Sequence, residues 1–328
     1  MANEWILSLT GAEATRFNLA KKAYAANVIR HYLTRIMAYS MIPTIDMMGG
    51  VSLETVRFYK MAAHKKDDHG DNPTQTLTKK RITVTLEDEE MFSGANLSKK
   101  DQMIVHFDAN GNIAKSAGEA MGQLYDVQTY RQLQAAARTP ADGNFPGGQQ
   151  VTETLVTDIA GTYEMSLTGS RKLQDNIKTA HRYMIEDDVP EELEKHWFMK
   201  KREHDVLQQD PTLMSADYVG RDFADKIHGK LLMIDGAWIH PTNNYPQTDA
   251  SVADDDTPSK NGTDAYLVDG SDSVAACLTS EALVKNEPEA VSAVFYWSDE
   301  KRHWVIGSVG FKTIETWRPE CAAEIRVA

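Results

Sequence analysis

The residues best suited to chemistry lie between positions 194 and 205, where Glu194, His196, Glu203, His204 and Asp205 bring imidazoles and carboxylates close in sequence. Such a set could hold zinc and activate water for hydrolysis, because imidazole nitrogens and carboxylate oxygens are common zinc ligands. The spacing argues against it: His196 and His204 are eight apart, and neither HExxH nor HxH spacing occurs. Polar histidines on a charged helix are the plainer reading. A metal-dependent hydrolase stands as a rival, and it requires these side chains to converge in one cleft.

Other candidates are thinner. Asp254, Asp255 and Asp256 offer hard oxygens to a cation, but without EF-hand spacing they read as a soluble loop. His64 and His69 could sense pH or meet acids on a neighbour, although exposed histidines are the simpler account. Nucleotide-binding GxGxxG and GxxxxGK[ST] signatures are missing, and so is the GxSxG elbow of serine hydrolases. Trp238, Trp297, Trp304 and Trp317 follow no period and read as core or interface anchors. Catalytic, cofactor and metal residues are therefore each read as none. For a chain of 328 residues that points to a structural role.

Elements must position whatever the chain does, and they organise around residues 113–138. Ile113, Ala117, Ala120, Met121, Leu124 and Val127 recur at helical spacing between the Asn110-Gly111 turn and Thr139-Pro140. The expectation is a spine of roughly 35–40 Å, with Ala117, Gly118, Ala120 and Gly122 letting another layer approach closely and flanking strands packing on it. Residues 12–41 carry a second stripe, Ala20, Tyr24, Val28, Tyr32 and Ile36, which must bury on the body or on a neighbour. Residues 51–61 and 77–86 read as two extended arms around a hydrophilic tip, a long projecting hairpin. A lone two-stranded ribbon is marginal in water, so its undersurface is expected to rest on another subunit.

Residues 87–112 read as an acidic, Asn/Ser/Gly-rich connection leading to a strand at Gln102–Phe107, and Ala141–Gly148 as a breaker-rich boundary. Beyond it, Ser170 is placed as the cap of a helix through Tyr183, with Leu173, Ile177, Ala180 and Met184 on one face. Asp187-Asp188-Val189-Pro190 ends that helix. A short strand at His196–Met199, helices near Arg202–Gln209 and Ala216–Ile227, and two extended pieces around Asp235-Gly236 follow. Residues 241–264 read as an exposed loop. Short elements at Leu278–Val284 and Val291–Trp297, and a last extended segment from Phe311, complete the chain.

Composition bounds the rest. No apolar run approaches the ~20 residues of a membrane span, and Met1–Thr10 lacks the marks of a secretory signal. Cys277 and Cys321 read as reduced, isolated thiols in a cytosolic setting, Cys277 as buried. Net charge is −13, the wrong sign for a nucleic-acid-binding surface. The charge is uneven. Residues 15–42 contain bases (Arg16, Lys21, Lys22, Arg30, Arg35) and no acid, and Arg57, Lys60, Lys65, Lys66, Lys79, Lys80 and Arg81 outnumber the acids of the hairpin. Acids gather at Glu87–Glu90, Asp187–Glu194 and Asp249–Asp256. That asymmetry suits copies that bind one another, basic arm to acidic body.

The order of these parts resembles the major capsid proteins of tailed bacteriophages, with the Hong Kong 97-type α+β fold. The N-terminal arm, the hairpin at 51–86, the strand and spine at 102–138, the helix ending in Asp188-Val189-Pro190 before Lys195–Met199, the passage Gly229–Pro241 and the end from Gly310 through Arg318-Pro319-Glu320 carry it. The resemblance implies an N-terminal arm (1–49), an E-loop hairpin (50–86), a P domain with the spine (87–140), an A domain (141–305) and a C-terminal return to the P domain (306–328). It is similar above all to short-tailed, podovirus-type capsids. It implies self-assembly into hexamers and pentamers of an icosahedral shell around double-stranded DNA, in virions assembled in the host cytoplasm. The implied partners are copies of the chain, a scaffolding protein, a portal at one vertex, weakly contacted DNA and, as a further candidate, a decoration protein; no cofactor is implied. Intersubunit contact is expected from the seven hairpin bases named above and from Tyr24, Val28, Tyr32 and Ile36 of the arm. Some members crosslink an E-loop lysine to a neighbour's asparagine, and no acceptor is identified here for Lys65 or Lys66. An encapsulin-like nanocompartment with the same fold is the alternative container.

Overall fold

A computed structural model of the chain describes residues 11–46, 52–59, 78–87, 90–98, 109–153, 164–210, 233–252, 266–298 and 303–327. The hairpin tip 60–77, the expected strand at 102–107, the expected helix at 216–227 and Asp254–Asp256 lie outside the described residues.

The arm comprises α1 (Gly11–Arg35) and, after a break at Ile36-Met37, α2 (Ala38–Met41). The hairpin is β1 (Ser52–Phe58) paired antiparallel with β2 (Lys79–Thr85), in a register that sets Phe58 opposite Lys79. Then come β3 (Met91–Ser98) and the spine α3 (Ala109–Ala137). With 29 residues, the spine is about 43 Å long.

The spine's buried stripe runs through Ala114, Ala117, Met121 and Tyr125, and from Gln128 to Gln134 every side chain is buried. The apolar spacing in the sequence marks a stripe rotated from this one: Ala120 is exposed and Leu124 and Val127 are half-buried. An aromatic and several amides take the core positions, and two of the amides find partners through their nitrogens. Gln132 donates to Thr316 Oγ1 at 3.0 Å and Gln134 to the Pro246 carbonyl at 3.1 Å. The small residues do admit a close neighbour. A Cβ on Gly118 would sit 2.5 Å from the Val28 carbonyl oxygen, so the layer that comes close is helix α1. Asp126, buried on the spine, accepts from the Met37 and Tyr39 amides at 3.0–3.1 Å and so holds the break between α1 and α2. This places a carboxylate on the orphan donors that open a helix.

The remaining elements are β4 (Gln149–Glu153), α4 (Leu167–Glu186), β5 (Lys195–Met199), α5 (Lys201–Leu207), β6 (Met233–Ile234), β7 (Ala237–Pro241), β8 (Ser273–Thr279), β9 (Leu283–Ser298), β10 (His303–Thr316) and β11 (Ala323–Val327). Ser166 rather than Ser170 caps α4, accepting from the Gly169 amide at 3.2 Å. Ser170 lies inside the helix and donates to the Leu207 carbonyl. Asp188 ends the helix in a left-handed conformation at φ 61°, which a short polar side chain tolerates. Asp235 and Gly236, both at positive φ, turn β6 into β7.

Two larger sheets result. One has the order β3-β10-β9 and lies on the spine; the other has the order β4-β11-β8-β5-β7-β6. The second is mixed: β11 is parallel to β4 and antiparallel to β8, while β5 is parallel to β7. All seven residues of β8 are buried, as a strand covered on both faces must be. Two sequence expectations change. The connection at 87–112 contains β3, and the short element at Val291–Trp297 is part of the longer strand β9, which pairs antiparallel with β10. The C-terminal return also divides, since β10 stays on the spine and β11 enters the six-stranded sheet.

Candidate functional site

The histidines of residues 194–205 do not form a centre. His196, on β5, places Nδ1 3.1 Å from Nε2 of His240 on β7, and its other nitrogen faces Glu194 at 3.7 Å. His204 is buried in α5, with its Nδ1 beside Lys201 and Asp205. Burial lowers the His196 pKa, and burial together with the nearby His196 ring lowers that of His240 to about 4. Burial also raises the Glu203 carboxyl above its ordinary value. Among the described residues no three His, Cys, Asp or Glu side chains converge to hold a metal ion. The convergence that a metal-dependent hydrolase needs is thus not found there.

The sequence did not single out His181. Trp197 Nε1 donates to its Nε2 at 2.9 Å, so its Nδ1 carries the hydrogen and donates to Asp235 at 3.0 Å. Burial outweighs Asp235 and lowers this pKa too. The arrangement ties α4, β5 and the β6–β7 turn together.

The hairpin has more to offer. Arg57, near the tip-ward end of the described ribbon, turns inward and makes a forked ion pair with Glu320, which is buried and also receives Arg318. Arg57 also lies over the Phe145 ring. Lys80 pairs with Asp142 at 2.9 Å, and the Thr313 hydroxyl donates to the Thr85 carbonyl. A small apolar cluster of Val84 and Val284, with Leu53, Ile45 and Trp317 against it, completes the seat. The described ribbon therefore rests on its own chain, a correction to the expectation that its undersurface rests on another subunit. Two of the expected contact bases, Arg57 and Lys80, are engaged within the chain. Lys60, Lys65 and Lys66 lie outside the described residues.

The ribbon's other face stays open. Val56 and Phe58 are exposed, as are Lys79 and Arg81 directly opposite them; among the described residues Arg81 reaches the exposed Glu54. A cavity of about 500 Å³ opens beside the ribbon, bounded by Arg57, Tyr59, Phe145, Asp187, Asp188 and Trp317.

The arm divides in the same way. Tyr24, Val28 and Tyr32 are buried against the spine within one chain, with Tyr32 edge-on to Tyr125, and Ile36 is half-buried. Those four side chains are taken up by the chain's own core. Leu19, Ile29 and Leu33 face outward instead. Charged ties missed in the sequence fasten the far end of the spine. Arg138 forks onto buried Glu324 at 2.7 Å and reaches Asp272 at 3.1 Å, and Arg326 joins Asp272 from β11. Cys277 and Cys321 are buried free thiols whose pKa burial raises to about 12. No helix among the described residues is long and apolar enough to cross a membrane.

A family profile described as phage capsid protein matches residues 14–230. Among solved structures, the capsid of the cyanophage P-SCSP1u is similar with a TM-score of 0.73 and 18% identity, over 88% of this chain and 86% of that one. The mature capsid of bacteriophage PhiM1 matches with a TM-score of 0.71 and 13% identity, over 89% and 87%. A virus-like particle from Pyrococcus furiosus matches with a TM-score of 0.53 and 8% identity, over 93% and 98%. At these identities the likeness speaks for the fold. No curated protein sequence matches the chain.

Proposed function

The chain belongs to the phage capsid protein family, and from that premise we propose that it tiles as hexamers and pentamers through arms laid on neighbouring copies. It is a capsid protein with the Hong Kong 97-type fold of tailed-phage shells. The observation that carries the proposal is the hairpin, seated on its own body by Arg57, Lys80 and a small apolar cluster while Val56, Phe58, Lys79 and Arg81 stay exposed. A ribbon seated on its own body along one face, and open along the other to contacts from neighbours, can keep those contacts while the angle between copies changes. Closed shells of identical chains need that tolerance.

The same reading assigns a scaffolding protein during assembly, a portal at one vertex, a decoration protein as a further candidate partner, and assembly in the host cytoplasm. A net charge of −13 favours weak, screened contact with enclosed DNA. A nanocompartment shell is the second reading, favoured by the fold shared with the Pyrococcus furiosus particle. Negative-stain microscopy of the purified protein should show shells. A nucleic-acid assay of shells formed in infected cells should find genome, where cargo protein without genome would favour the nanocompartment. Reversing Lys79 and Arg81 to Glu should leave a soluble subunit that forms no shells. Normal shells from that variant would retire the hairpin contact, and a lone, catalytically competent wild-type monomer would retire the shell.

A further inference from the structure

We propose that the outward face of α1 docks on the acidic turn that follows α4 in a second copy of this chain, so that neighbours meet head to tail. The inference rests on the shell-forming reading and adds to it a surface and its partner. The inner face of α1 is spent on the spine, with Tyr24, Val28 and Tyr32 buried there. Its outer face is also apolar. Leu19, Ile29 and Leu33 are 68%, 42% and 60% exposed, and with Ala26 they recur at helical spacing on one side. A helix that is apolar on two faces is normally covered on both. Lys22 lies within the outer stripe and Arg30 beside it, both exposed, and residues 15–42 contain no acid. This face thus carries apolar and basic side chains together.

The turn after α4 has the complementary design. Ile185 is 47% exposed. Around it Glu186, Asp188, Glu191, Glu192 and Glu194 are exposed, with no base among residues 186–194. Arg182 and His196 lie near Glu186 and Glu194, each at 3.7 Å, while Glu191 and Glu192 point outward between them. Every copy carries both patches on separate elements, since α1 lies on the spine and β9 whereas α4 lies on β4, β11 and α5. Two different complementary patches on one chain generate a head-to-tail contact, and repetition about an axis closes it into a ring. The opposite charges set register and encounter, and the apolar side chains supply burial.

A charge exchange tests this in the full-length protein. K22E/R30E and E191K/E192K should each lower the assembled fraction, read by sedimentation and microscopy, by about tenfold or more, because like charges then face each other. The quadruple variant carrying both pairs should assemble again, and circular dichroism should show all three folded. Undiminished assembly of either double variant overturns the proposal, as does a quadruple variant that stays dissociated. If K22E/R30E fails while E191K/E192K assembles normally, α1 meets a different acidic protein and the second-copy assignment falls. Wild-type protein that never assembles would instead overturn the shell reading itself.

Discussion

Glu320 is the residue on which the hairpin's direction depends. Its carboxylate is buried and answers two guanidinium groups, from Arg57 on β1 and from Arg318 beside it. Arg57→Ala removes one of these cations and the packing over Phe145, and should cost about 1–3 kcal/mol in urea unfolding. Arg57→Lys should recover only part, because an ammonium cannot fork onto a carboxylate. The exposed Arg81–Glu54 pair is the control, and Arg81→Ala should cost less than about 1 kcal/mol. A second prediction concerns acid. The folded-state pKa of His240 is about 4, below its ordinary 6.5, and that of His196 is lowered as well. The unfolded chain therefore binds protons first as pH falls from 6.5, and their contribution to stability, full above that value, declines toward pH 4. Asp126 works in the opposite sense, raised by burial from 3.8 to about 6, so its contribution declines as pH rises through that window. His240→Phe should therefore flatten the acid-side fall of the urea midpoint between pH 6.5 and 4, while Asp126→Asn should leave that fall steeper. An unchanged profile in both variants would contradict these assignments.

Among the elements, the α1–α3 contact gives the sharpest prediction. Gly→Ala in an exposed helix stabilises by roughly 1 kcal/mol. At Gly118 the added methyl would lie 2.5 Å from the Val28 carbonyl, so Gly118→Ala should destabilise by roughly 1–3 kcal/mol. Limited trypsin digestion should then cut sooner at Lys21, Lys22 or Arg30. The helices were legible in the sequence because a 3.6-residue period survives even where the buried stripe is displaced, as Tyr125 displaced it. The strands were harder. β3 contains Ser93, Gly94, Ala95 and Asn96, poor strand formers that its partner β10 holds in place, with Gly94 directly opposite Gly307. β9 carries Pro288 and is read as two pieces, yet the ladder continues past it through register shifts opposite Val309–Thr313, where a proline is tolerated. The seat of the hairpin was illegible because Arg57 and Glu320 stand 263 residues apart. Charge runs could suggest that the hairpin bases meet acids, but not that two of those acids, Asp142 and Glu320, belong to the same chain.

For the whole molecule, the six-stranded sheet sets the terms. Its second strand, β11, comes from residues 323–327 and lies between β4, at 149–153, and β8, at 273–279. Arg138, Asp272, Glu324 and Arg326 then lock that strand to the end of the spine. The core that orients both arms is thus closed by segments far apart in the chain, a topology that folds slowly. A nascent chain not yet past residue 322 would leave facing edges of β4 and β8 unpaired. Such edges invite pairing with other polypeptides. A cell translating many copies at once would therefore need chaperone capacity for this subunit, and its yield would depend on how quickly ribosomes reach that closing strand.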